Sequence, residues 1–102
     1  MANETGLSLE EIQQLEHDYS LPLYAKREIA LVRGEGAYLY DSEGRRYLDA
    51  MSNYGVAVLG HADAEFAAAL SDQLLTLTTG HQSFYNDQRA ALLKKIASIA
   101  PA

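Results

Sequence analysis

Ala37-Tyr38-Leu39-Tyr40, Asp41-Ser42-Glu43-Gly44-Arg45 and Arg46-Tyr47-Leu48-Asp49 follow one another without interruption and decide the fold of this chain. Tyrosine favours the pleated, half-buried surface of a strand, and here it recurs on both sides of a turn sequence. Asp41 at the first turn position and Gly44 at a left-handed position predict a loop hairpin, a type I turn followed by a bulge. Upstream, Ile29 to Val32 is a short apolar run that predicts a third strand. Arg33-Gly34-Glu35-Gly36 joins it to the hairpin. Its two glycines have the spacing of a phosphate loop, but no third glycine and no Gly-Lys-Ser/Thr ending follows, so the stretch reads as a turn.

Outward from the hairpin the signals are helical. Ser8-Leu9-Glu10-Glu11 has the spacing of a capping box and predicts a helix near 8–18, with Leu9, Ile12 and Leu15 on one side. Pro22 biases Leu21 away from the helical region, so Asp18 to Tyr24 should be extended. Met51 to His61 carries two glycines and no formal charge, the composition of a segment packed closely against something. Asp63 can cap a helix near 64–77 with a stripe of Phe66, Leu70, Leu74 and Leu77. Asn86 or Asp87 can cap another near 87–99, with Leu92, Leu93, Ile96 and Ile99 facing inward. The expected fold class is α+β: an arm, a small antiparallel sheet with a hairpin, and two or three helices.

The chain has 102 residues, a length that buries roughly two-thirds of the unfolded surface and supports one modest core. It has no cysteine, which excludes disulfide scaffolds, cysteine-zinc sites and thiolate nucleophiles. Eight basic against fourteen acidic residues give a formal net charge of −6, which disfavours a broad nucleic-acid surface. No stretch approaches the length of a membrane span, and the acidic, polar start Met1-Ala2-Asn3-Glu4-Thr5 is unlike a basic targeting segment. A soluble, cytoplasmic chain with neither nucleic-acid nor membrane partner is expected.

Candidates for chemistry are few. Asp41 and Glu43 are close together, but in a tight exposed turn solvation keeps their acidities ordinary. His17, His61 and His81 are too widely spaced to argue a metal site, so no metal is expected. His61 orders a turn; His81 lies in the polar-aromatic loop from Thr78 to Tyr85. Tyr38, Tyr40 and Tyr47 are explained by cross-strand packing. Tyr24, Tyr54 and Tyr85 sit in irregular segments where no periodic face explains them, so they are candidates for ligand or partner contact. Lys26, Lys94 and Lys95 lack the apolar setting that activates a lysine for Schiff-base work. The chain supplies no catalytic residue of its own.

The run Leu31 to Asp41, Glu43-Gly44-Arg45-Arg46-Tyr47-Leu48-Asp49, then Ser52, Gly55-Val56 and Leu59-Gly60-His61, resembles the N-terminal segment of class III pyridoxal-phosphate-dependent aminotransferases, the acetylornithine/ornithine group. The resemblance extends from about Tyr19 to Pro101 and includes Phe84-Tyr85-Asn86 before the last helix. It departs at Gly60-His61-Ala62-Asp63-Ala64, where the family usually has a histidine and a proline opening the helix. Asp63 can cap the helix instead.

The resemblance implies a type I aminotransferase fold, with residues 1–60 as N-terminal arm and small-domain sheet. Residues 61–102 would be a helix pair leading toward a large cofactor domain. It implies pyridoxal 5'-phosphate as cofactor, amino-acid and 2-oxo-acid substrates, and a homodimer. By offset from Arg33-Gly34, Tyr24 and Tyr54 would line the substrate side of the site, with Asn53, Gly55 and Val56 flanking it. His81, Ser83 and Tyr85 would reach toward the partner subunit's site. The phosphate-binding turn, the aspartate facing the pyridine nitrogen and the Schiff-base lysine would lie beyond Ala102. Residues 1–102 alone are then expected to be inactive and not to bind the cofactor productively. A different expectation is a free-standing α+β interaction module without catalysis.

Overall fold

The computed structural model describes residues 5–101. Leu9–Tyr19 forms α1, opened by the capping box: Ser8 Oγ accepts from Glu11 N–H at 3.2 Å and Glu11 Oε2 accepts from Ser8 N–H at 2.8 Å. The chain then runs through an irregular arm to β1 (Leu31–Glu35), β2 (Tyr38–Asp41) and β3 (Arg46–Leu48), an antiparallel sheet in that order. A single turn, α2 (Ser52–Gly55), precedes α3 (Ala64–Thr76) and α4 (Asp87–Ile99). Asp63 Oδ1 accepts from Phe66 N–H at 2.8 Å, and Asn86 Oδ1 from Arg89 N–H at 2.9 Å, so both later helices start on the side-chain caps the sequence supplies. The chain divides after Ala67 into two compact units.

Strand β1 lies later than expected. The ladder pairs Leu31 with Asp41, Arg33 with Tyr40, Gly34 with Leu39 and Glu35 with Tyr38, with a bulge between Leu31 and Arg33. Arg33-Gly34-Glu35 is therefore strand, and only Gly36 begins the turn. The register sets Gly34, Leu39 and Tyr47 side by side on one face and Arg33, Tyr40 and Arg46 on the other. On that second face the Arg33 guanidinium lies over the Tyr40 ring at 3.6 Å and that of Arg46 over Tyr38 at 4.6 Å.

The β2–β3 turn closes as its residues demand. Gly44 takes φ +81°, which an L-residue adopts only at a cost. Asp41 Oδ1 accepts from Glu43 N–H at 3.0 Å and Arg45 N–H at 2.9 Å. Its Oδ2 accepts from Arg45 Nε at 2.7 Å and the Tyr47 hydroxyl at 2.8 Å. Asp41 is thus no solvated surface acid: it is 3% exposed. Burial pushes its carboxyl up, but the bonds from Arg45, Tyr47 and two backbone amides outweigh that and hold it at about 2.

The expected apolar core does not form. Among the described residues Asp41 alone is buried, and no hydrophobic side chain joins it. The stripes of α3 and α4 are exposed, so Leu92, Leu93, Ile96 and Ile99 do not face an interior. A three-stranded sheet and short helices present apolar faces that this chain leaves uncovered.

Candidate functional site

The segment from Asp49 to His61 departs most from ordinary backbone. Met51 is in the right-handed helical region, and then Ser52, Asn53 and Tyr54 take φ of 53°, 48° and 58°, followed by Gly55 at 83°. A left-handed turn costs an L-residue roughly 1–2 kcal/mol, so three in succession are held there by their surroundings. The change of hand at Met51-Ser52 aims successive N–H groups at one point, and Asp49 Oδ1 occupies it. It accepts from Met51 N–H at 3.2 Å and Ser52 N–H at 2.7 Å.

Asp49 Oδ2 lies 2.6 Å from His61 Nε2. Hydrogen bonds from His61, then from the Ser52 and Met51 amides, hold the Asp49 carboxyl below its ordinary value against the opposing effect of burial. His61 is fixed from behind by the sheet. It exchanges backbone bonds of 2.8 and 2.9 Å with Gly36, and its ring lies over Gly34. A Cβ on Gly34 would stand 2.5 Å from His61 Cβ. Of the two glycines that read as a turn in the sequence, Gly34 is thus the seat of a histidine side chain and Gly36 its backbone partner.

This geometry places Tyr54 at the tip of the turn, 89% exposed, with Asn53 and Gly55 beside it and Val56 closing the turn through a 2.8 Å bond from its N–H to Ser52 O. Tyr24 lies elsewhere. It lines an open groove with Leu9 and Ile12 of α1 and with Leu31, Leu39 and Tyr47 of the sheet. The arm is tied to α1 by an ion pair between Lys26 and Glu16. Tyr54 lines neither this groove nor the smaller pocket around Asp49 and His61.

The second compact unit carries the other candidates. The Ser83 hydroxyl and Ser83 N–H approach His81 Nδ1 at 2.7 and 3.2 Å, which fixes the proton of a neutral ring on Nε2. Arg89 braces the same loop, donating to Gln82 Oε1 at 3.1 Å and to the Phe84 carbonyl. Tyr85 is left fully exposed, at 106%. Asp49 and Arg89 escaped the reading of the sequence. Asp49 looked like the end of a strand, although an aspartate three residues before Ser52 is a known amide acceptor pattern. Arg89 carries no local signal beyond its place in the first turn of the last helix.

None of the three lysines is placed as a Schiff-base nucleophile would be. Lys26 is paired with Glu16, and Lys94 and Lys95 are exposed on α4.

Comparison with known proteins gives a consistent family. The family described as aminotransferase class III matches residues 23–102. An acetylornithine aminotransferase of Gloeobacter violaceus is 41% identical over 81 residues, 79% of this chain and 20% of that protein. A LysW-aminoadipate semialdehyde transaminase of Deinococcus radiodurans is 36% identical over 86 residues, 84% of this chain and 20% of that protein. The crystal structure of acetylornithine aminotransferase from Elizabethkingia anophelis superposes with a TM-score of 0.86 at 30% identity, over 91% of this chain and 24% of that one. The chain spans about a fifth of the length of the curated relatives it matches.

Proposed function

The chain belongs to the class III aminotransferase family, and on that premise we propose that it forms the N-terminal part of an enzyme moving an amino group between an ω-amino acid and a 2-oxo acid. The amino substrate is of the acetylornithine or ornithine type, in keeping with the names of its relatives. The observation that carries the reading is the left-handed turn at Ser52–Gly55. Strained backbone gathers at functional sites, and here it serves to hold a tyrosine out into solvent. An aromatic ring with a hydroxyl suits a substrate whose apolar methylene chain ends in polar groups.

In this reading Tyr54 and Tyr24 line the substrate side of the site, with Asn53, Gly55 and Val56 around Tyr54. The loop bearing His81, Ser83 and Tyr85 reaches toward the other subunit of a homodimer. Residues 1–60 serve as arm and small-domain sheet and 61–102 as the helices leading to the large domain. Class III aminotransferases work with pyridoxal 5'-phosphate. In keeping with the resemblance, cofactor binding is assigned to the rest of the enzyme, and residues 1–102 alone are taken to be inactive. The uncovered apolar faces fit a chain completed by further structure. A cysteine-free, acidic composition suits the cytoplasm, and among the described residues no helix is long and apolar enough to cross a membrane.

The test joins residues 1–102 to the remainder of the aminotransferase and assays transfer from acetylornithine and from ornithine to a 2-oxo acid. Turnover with either donor is expected, and Tyr54→Ala should raise KM for the donor. Absence of transfer with both donors would refute the substrate class.

A further inference from the structure

Both ends of the segment from Asp49 to His61 are fastened to neighbouring residues of the β1–β2 turn. Asp49 N–H donates to Ala37 O at 2.9 Å, and His61 is bonded through its backbone to Gly36. The Asp49–His61 contact then closes the loop side chain to side chain. One carboxylate joins a sheet-anchored histidine to the first two amides of the left-handed turn. The pair is shielded, with side chains 7% and 25% exposed, so water competes weakly for these bonds.

We propose that Asp49 and His61 are positioning residues: together they hold Ser52–Gly55 left-handed and so fix where the Tyr54 ring meets the amino substrate. The substrate clause rests on the aminotransferase reading above, whereas the latch stands on the geometry of this chain alone. Without the carboxylate, Met51 and Ser52 lose their shared acceptor and the turn relaxes toward right-handed or extended backbone. Without the imidazole, Asp49 loses the contact that fixes its side-chain torsions, and as the carboxylate rotates out toward water its bonds to the two amides are lost as well. In either event Tyr54 swings, because reversing φ at one residue redirects every Cα–Cβ bond after it. Gly34 belongs to the same device, since any larger side chain would evict the ring.

The first test is NMR spectroscopy of the 102-residue chain. Strong intraresidue HN–Hα cross-peaks at Ser52, Asn53 and Tyr54, the mark of positive φ, are expected in the unaltered protein. They should be lost in Asp49→Ala and His61→Phe, while contacts between Arg33 and Tyr40 report an intact sheet. Should either variant disturb the sheet, Asp49→Leu, which roughly keeps the side-chain volume but offers neither an acceptor to the amides nor a partner to the imidazole, decides the matter by the same signal. Persistence of the left-handed signature in a sheet-intact variant would overturn the latch. The second test is kinetic, in the complete aminotransferase. Asp49→Leu should lower kcat/KM for the amino donor by up to about 100-fold, carried by KM, with the bound-cofactor absorption unchanged. An unaltered KM would overturn the positioning role. An unaltered enzyme that transfers no amino group would refute the proposed function only, and the cross-peaks would still decide the latch.

Discussion

The Tyr47 hydroxyl donates to Asp41 Oδ2 at 2.8 Å, spanning the turn that joins β2 to β3. Asp41 gathers this bond, one from the Arg45 side chain and two from backbone amides, so a single carboxylate closes the hairpin. The hydroxyl pays a reciprocal consequence: hydrogen bonding to Asp41 pushes the Tyr47 phenol above its ordinary value.

Acid should therefore open this turn. The Asp41 carboxyl sits at about 2 in the folded chain against an ordinary 3.8, a depressed folded value. Its contribution is complete above roughly pH 4 and is lost as pH falls toward 2. In an NMR titration the Glu43 and Arg45 amides should shift together, with a midpoint near 2. A shared midpoint near 4 would show that the carboxylate is not held. Asp41→Asn should remove this acid transition and lower the thermal midpoint at neutral pH.

Gly34→Ala should destabilise the first compact unit by about 1–3 kcal/mol in urea unfolding, the usual range for overpacking. The new methyl would meet His61 Cβ and Cγ at 2.5 and 2.6 Å, and that ring cannot retreat without breaking the Gly36 bridge or the Asp49 contact. Gly36→Ala removes no such space and would be costly through its φ of +55° alone. Equal tolerance of alanine at Gly34 and at an exposed strand position would contradict the packing.

Ser8→Ala should weaken α1 by about 1 kcal/mol, since it deletes the acceptor for Glu11 N–H at the capping box. Far-ultraviolet circular dichroism at graded temperatures would show it as an earlier loss of helix. Ser8→Asp should leave the helix intact.

What could be read in the sequence was local. The capping box at Ser8, the caps at Asp63 and Asn86 and the Asp41–Gly44 turn each depend on residues within a few positions, and each forms as the pattern dictates. Strand β1 was misplaced because Gly34 looks like a turn residue, and only the distant His61 ring shows why glycine stands in a strand. His61 was legible as a residue ordering a turn. Its partner was not, since the 2.6 Å contact to Asp49 joins residues that no periodicity relates. The acidity of Asp41 was misjudged for a similar reason: exposure was inferred from the turn, whereas Arg45 and Tyr47 fold back over it. Tyr54 stood out as an aromatic without a periodic face, but the handedness of its backbone was invisible, because neither Asn53 nor Tyr54 is a residue that requires it.

The apolar stripes of α3 and α4 lead to the last expectation. Phe66, Leu70 and Leu74 on α3 and Leu92, Ile96 and Ile99 on α4 are all substantially exposed, at helical spacings that align them into continuous stripes. Burying a side chain of this kind is worth about 1.5–3 kcal/mol, so association gains more from these stripes than from scattered surface leucines. A net charge of −6 opposes it, and salt screens that repulsion. The isolated 102-residue chain should therefore self-associate, more strongly as ionic strength rises. Sedimentation equilibrium should give a mean mass that climbs above 11.2 kDa with concentration. Leu70→Glu with Leu74→Glu should return it toward the monomer. A mass fixed at the monomer value across concentration and salt would mean that the stripes are satisfied within the chain, contrary to their exposure.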